Sequence, residues 1–218
     1  MIFFKKSNGG SLQPMLDSAK SSDKEETYRS GEVFEAIKTD FHCKCYLCED
    51  AEVTAPNVEH FEPHRGDPDK KYDWNNLFYA CAHCNNLKQH RFWPLLNCTV
   101  EADRIWEAVE IRFSPFPKPT VEVIAHPQIG KEEECTNTRE LLFKCLSGRD
   151  CTSIKQEGAR ALRKKMNREY ANIHEQIRDK NVSGIKQMVS DNAPFAGMLR
   201  WLLKNEHPDL FELTLGSG

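Results

Sequence analysis

Residues 75–88 read NNLFYACAHCNNLK. Within this stretch Cys81 and Cys84 are spaced Cys-x2-Cys, the separation at which one backbone knuckle presents two sulfurs to a single tetrahedral ion. Upstream, CYLC at 45–48 repeats the spacing with Cys45 and Cys48, and 32 residues separate the two pairs. A lone pair also suits a redox or buried thiol, but two matching pairs point to structural zinc held by Cys45, Cys48, Cys81 and Cys84. Cys43 and His83 are near enough in sequence to offer an alternative fourth ligand. Four sulfurs complete the coordination of zinc, so this ion clamps the fold and leaves the chemistry to other groups.

Between the knuckles, NVEHFEPHRG at 57–66 places Glu59, His60, Glu62 and His64 close together, a density of proton-transferring and metal-binding groups that a surface loop does not require. The acids of RGDPDKKYDW, 65–74, sit beside Gly and Pro as turn acids commonly do and receive no catalytic role. Residues from 43 to 93 are dense in Cys, His, Asn and aromatics, which marks the shift in composition.

These elements resemble the HNH endonuclease family. Its pattern is a Cys-x2-Cys knuckle, an acidic residue or His before a His with Pro a few positions on, an Asn-Leu pair, and Cys-x2-Cys-Asn-x2-Lys. Here the same order is Cys45 and Cys48, Glu59-His60 with Pro63, Asn76-Leu77, and Cys81, Cys84, Asn85 and Lys88, over roughly residues 45–91. The resemblance implies a ββα-metal core, a hairpin packed on one helix with the active site between them. It implies His60 as general base, Glu59 and Asn85 as ligands of a catalytic Mg²⁺ or Mn²⁺, and Asn76 as a brace for the loop that aims the histidine. Hard oxygens suit those ions better than zinc. Asn86 is a weaker choice than Asn85, because the pattern fixes the position after the second knuckle. Lys88 and Arg91 are candidate nucleic-acid contacts. His64 falls outside the pattern and reads as a loop histidine, a second metal ligand or a phosphate contact.

Composition bounds the partners. Hydrophobic residues at 39% and charged residues at 29% describe an ordinary soluble globular protein. A formal charge of −3 argues against a generally basic nucleic-acid coat, so any such binding is local. MIFF at the start is too short for a signal-peptide core and no stretch approaches a membrane span, so the expected location is the cytoplasm. In that compartment nine cysteines read as thiols and metal ligands rather than disulfides.

The expected class is therefore α+β, mostly helical, with a zinc-clamped ββα core and a C-terminal helical region. Residues 7–31 are polar and rich in Ser, Gly and Lys, so 1–32 read as a flexible arm, and Val33, Phe34, Ile37 and Phe41 mark a short helix opening the nuclease core at 33–97. Residues 98–135 read as a linker whose β-branched run at Val121–Ile124 forms an edge strand. A helical region fills 136–215, opening on an Asn137/Glu140 capping pair and continuing with a long amphipathic helix over 154–180. A last helix starts from Asp191 or Asn192. Arg160, Arg163, Lys164, Lys165 and Arg168 cluster on the long helix and offer a phosphate-binding surface. The terminal Gly-Ser-Gly is set aside from the native fold.

The core YDWNNLFYACAHCN, the NTRELL helix and APFAGMLRWLL also resemble PtuB, the HNH subunit of Septu anti-phage systems, found too in some retron systems. That resemblance implies a nucleic-acid substrate, DNA before RNA or tRNA, and an ATPase partner of the PtuA type docking on the C-terminal helices. The alternatives are a stand-alone restriction or mobile-element HNH nuclease, and a non-catalytic zinc module that binds nucleic acid or protein.

Overall fold

The computed structural model describes residues 1–216; Ser217 and Gly218 of the closing Gly-Ser-Gly lie outside the described residues. Three helices precede the first knuckle: α1 (Leu12–Lys20), α2 (Glu26–Arg29) and α3 (Gly31–Asp40). Strand β1 (Pro56–His60) follows, then the short α4 (Pro68–Lys71), a 3-10 turn at Trp74–Asn76, β2 (Leu77–Cys81) and α5 (Ala82–Lys88). β1 and β2 are antiparallel with Glu59 opposite Phe78 and His60 opposite Leu77. All five residues of β2 are buried, because α3 and α5 both pack on this hairpin. This is the expected ββα core.

The flexible arm expected at 1–32 is corrected. Met1, Ile2, Phe4, Leu12, Leu16 and Tyr28 are buried, and the Phe4 amide donates to the Cys98 carbonyl at 2.8 Å. Met1, Ile2 and Phe4 enter the core outside any helix or strand, so no helical period marks them in the sequence.

The linker expected at 98–135 is corrected too. After α6 (Ile105–Ala108), β3 (Val109–Ser114) and β4 (Thr120–Ala125) form a second antiparallel hairpin, with Ile111 opposite Val123 and Phe113 opposite Val121. The Pro-rich stretch between them is the hairpin connection rather than a tether, and the inward faces of Val109, Ile111, Phe113, Val121 and Val123 are buried.

The C-terminal region is helical as expected: α7 (Glu132–Ser147), α8 (Ser153–Arg178), α9 (Val182–Met188), α10 (Ala196–Glu206) and α11 (Pro208–Leu215). α7 starts five residues before the expected cap at Asn137. Glu132, Glu133 and Glu134 occupy its first turn, where carboxylates complement the helix dipole, and the Asn137 side chain instead donates to the Pro94 carbonyl at 3.0 Å. Gly148 ends α7 at φ +69°, and a Cβ there would sit 3.0 Å from the Ala159 side chain, so the α7–α8 turn is closed against the next helix. α10 starts at Ala196 rather than at Asp191 or Asn192, because Phe195 takes a left-handed conformation and buries its ring ahead of the helix. β4 and α8 pack on α7 and β3 on α10, so the second hairpin is the floor of the helical region.

Candidate active site

The Sγ atoms of Cys45, Cys48, Cys81 and Cys84 lie within 4.8 Å of one another, and those of Cys48 and Cys81 are 3.9 Å apart. A zinc–sulfur bond of about 2.3 Å in a tetrahedron separates its sulfurs by about 3.8 Å, so this set fits zinc. The Cys81 sulfur also accepts from the Cys84 amide at 3.4 Å and so caps α5, while the Tyr46 amide donates to the Tyr79 carbonyl at 3.0 Å and ties the first knuckle to β2. The alternative ligands stand apart: Cys43 is exposed, and Nε2 of His83 pairs with the Cys145 carbonyl at 2.9 Å.

His60 ends β1 with its ring against the edge of Tyr28, 5.5 Å between centres, and of His64, at 4.6 Å. Its Nε2 is 3.0 Å from the Lys71 carbonyl oxygen. Burial pushes its pKa down to about 4 against the pull of that hydrogen bond, with the neighbouring His64 adding to the fall. The residue before that carbonyl is held by Asn76. The buried Asn76 amide accepts from the Glu62 backbone N–H at 2.6 Å and donates to the carbonyls of Glu62 and Lys70, at 2.9 and 2.8 Å. Both ends of the loop after β1 are thereby fastened to one side chain.

Glu59, adjacent to His60 and therefore on the opposite face of the strand, points toward α5. Its Oε1 lies 2.6 Å from Nζ of Lys88, which also donates to the His60 carbonyl at 2.8 Å. Burial raises the Glu59 pKa and the Lys88 charge opposes the rise. Asn85, half-buried, stands one turn ahead of Lys88 on the same face of α5. A buried carboxylate and a carboxamide oxygen are hard donors that suit Mg²⁺ or Mn²⁺.

One segment therefore holds both knuckles, the hairpin and the helix beneath it. Residues 45–91 match the HNH endonuclease family model. The match supports a metal-dependent nuclease that hydrolyses phosphodiester bonds in nucleic acid. No curated protein and no solved structure matches the chain. Within the HNH segment the structure brings Glu59, His60, Asn76 and the zinc set together around one hairpin. Lys88, a candidate for a phosphate contact or for a solvated helix lysine, is buried, and the buried Glu59 carboxylate accounts for its position. Arg91 is exposed beyond the end of α5. Trp93 packs edge-on against Phe61 at 5.5 Å, closing the HNH core.

Residues outside the HNH segment complete the site. Asp23 and Glu25, between α1 and α2, pair with Nζ of Lys71 at 2.6 and 2.8 Å, and the Tyr72 hydroxyl donates to Asp23 at 2.9 Å. With Tyr28 they hold the loop whose carbonyl receives His60. Sequence reading missed all three, and their only local signal is a single tyrosine in a polar run. Among the described residues no helix is long and apolar enough to cross a membrane.

Proposed function

We propose that the chain is an HNH endonuclease in which His60 accepts a proton from the attacking water and Glu59 and Asn85 hold the catalytic cation. The observation that carries this reading is the contact between His60 Nε2 and the Lys71 carbonyl. A carbonyl oxygen only accepts, so Nε2 carries the hydrogen and Nδ1 keeps its lone pair. With its pKa near 4 the ring is neutral at pH 7, and an anionic phosphate beside it would raise that value toward the working range of a general base.

Nδ1 takes the water proton as the water oxygen bonds to phosphorus and the bond from phosphorus to the leaving oxygen breaks. The leaving oxygen takes its proton from solvent. Bound Mg²⁺ or Mn²⁺ would draw charge from the scissile phosphate. Asn76 acts as a positioning residue, since it touches the loop and not the reacting atoms. Zinc held by the four cysteines would keep β2, α5 and the first knuckle in the register that this chemistry needs.

On this reading residues 33–97 are the nuclease core and 136–215 a docking region for an ATPase of the PtuA type, as in a Septu-like defence complex acting on DNA before RNA. The order of the segments beyond the core supports that assignment by resemblance. The test is cleavage of plasmid DNA, single-stranded DNA and tRNA by wild type and His60→Ala, with and without Mg²⁺ or Mn²⁺, alone and with such an ATPase. Cutting that needs both His60 and the cation is expected. Folded, zinc-loaded protein that cuts nothing under any of these conditions would sink the reading, and strong cutting without the ATPase would move the chain to the stand-alone nucleases.

A further inference from the structure

The basic residues of α8 do not form one surface. Lys165 Nζ lies 2.7 Å from Asp50 and Arg168 pairs with Glu52 at 2.8 Å, so both charges are used to hold α8 against the first knuckle region. At roughly 100° per residue, Arg160, Arg163, Lys164 and Asn167 form a separate stripe on the other flank of the buried Leu162 and Met166. That stripe is one wall of a groove of about 650 Å³. Lys118, from the β3–β4 connection, and Arg149, from the α7–α8 turn, complete it over an apolar floor that includes Val121 and Phe143.

Five cationic side chains converge here from three parts of the chain, and no acid lines the groove, although the chain as a whole carries a formal charge of −3. Among the described residues none of the five makes an ion pair; Asp150 and Glu157, the acids nearest in sequence, do not line it. Two of the five are already held in place. Arg163 donates to the Leu146 and Ser147 carbonyls at the end of α7, both at 2.6 Å, and the Arg149 guanidinium lies 5.4 Å from the Phe143 ring centre. Like charges gathered without counter-charges repel, and a polyanion supplies what they lack.

The helix that carries the groove stripe reaches the nuclease core on another face. Lys155 Nζ donates to the Asn86 carbonyl at 3.2 Å, and Gly158 meets α5 so closely that a Cβ would stand 2.3 Å from Nδ1 of His83. Arg160 and Lys164 follow Gly158 by roughly 3 and 9 Å of helical rise and stand roughly 160° and 120° round the axis from it, so the groove opens away from α5.

We propose that this groove is a nucleic-acid exosite that grips the phosphate backbone of the substrate away from the segment being cut. The proposal takes its ligand class from the nuclease reading and uses none of the residues assigned to the cutting.

The test measures binding without cleavage. Full-length His60→Ala protein is titrated with labelled duplex DNA, single-stranded DNA and RNA across a salt series without added divalent cation, followed by fluorescence anisotropy. The pair Arg160→Ala/Lys164→Ala is compared with Lys165→Ala/Arg168→Ala and with the charge-keeping Arg160→Lys/Lys164→Arg. Loss of two phosphate contacts is expected to flatten the slope of log affinity against log salt by about 1.8 on duplex and about 1.4 on single strands. The charge-keeping pair should restore it and the Lys165/Arg168 pair should leave it in place. Unchanged affinity and slope in the Arg160/Lys164 pair, an equal loss in the Lys165/Arg168 pair, or a groove that takes an acidic peptide while no oligonucleotide binds overturns the exosite. Normal cutting by the Arg160/Lys164 pair made in the protein that keeps His60, with intact binding, removes the exosite and keeps the nuclease. Failure of the wild type to cut, with binding lost in the groove variants, does the reverse.

Discussion

The ammonium of Lys88 lies 2.6 Å from Oε1 of Glu59, and both side chains are buried. The carboxylate proposed for the catalytic cation thus already has a positive partner, and a divalent ion has to share it with Lys88 or displace the lysine from it. Removing one member of a buried pair strands the other, at a cost of about 3–5 kcal/mol. Lys88→Met is therefore expected to lower the urea midpoint of unfolding substantially. Added Mn²⁺ should recover part of the loss by binding the freed carboxylate in the folded state only. A midpoint for Lys88→Met that does not respond to Mn²⁺ would show that Glu59 is not a cation ligand.

His60 predicts an acid limit. Its pKa of about 4 in the folded chain is below the ordinary value near 6.5, because burial disfavours the charged ring. The unfolded chain then binds the proton first as pH falls. The contribution of the neutral ring is complete above about pH 6.5 and is lost as pH drops toward 4. The wild type should lose stability across this window more steeply than His60→Gln, as read by urea unfolding at a series of pH values. Parallel curves would mean that the ring is not desolvated as described.

The zinc knuckles and the ββα order were legible because ligand spacing and strand–helix alternation are local patterns. The second hairpin was half legible. Val121–Ile124 showed as a strand, but its partner Val109–Ser114 was absorbed into a linker because Pro115, Pro117 and Pro119 read as a tether rather than as a turn. Burial of Met1, Ile2 and Phe4 was not legible, since three apolar residues outside any helix or strand carry no period, and what they pack against lies far along the sequence. Lys88 misled for a related reason: a lysine is ordinarily solvated, and only the fold brings it to Glu59. The α8 cluster divided into two faces for the same cause, as Asp50 and Glu52 are remote in sequence from Lys165 and Arg168.

Asn76 links the loop after β1 to the aim of His60. Its amide makes three hydrogen bonds, to the amide and carbonyl of Glu62 and the carbonyl of Lys70, one residue before the carbonyl that receives His60 Nε2. Asn76→Ala removes all three, at about 1 kcal/mol each where the freed groups stay dry. A shift of the loop by an ångström is enough to cost on the order of 10²-fold in rate. The expected kinetic signature is a fall in kcat with KM nearly unchanged, because no substrate contact is lost. A rise in KM at constant kcat would instead make Asn76 a substrate-binding residue.

Zinc removal should separate the two parts of the molecule. The four cysteines fasten the first knuckle to β2 and α5, and no other covalent or ionic link among the described residues closes that cluster. By contrast α7, α8, α10 and the β3–β4 hairpin bury Leu141, Leu142, Leu162, Met166, Leu199 and Leu203 in the same continuous core but supply no ligand of the ion. Chelation, or Cys84→Ala, is therefore expected to release about one zinc per chain, abolish cleavage and expose the HNH segment to protease. Most of the far-ultraviolet helical signal should persist, because a small ββα unit depends on its metal whereas a helical pack of this size has its own buried apolar surface. Protease mapping on the apo protein decides the point. Cuts confined to residues around 45–91 fit two separable cores, and cuts spread evenly along the chain would mean that the zinc site holds a single cooperative unit.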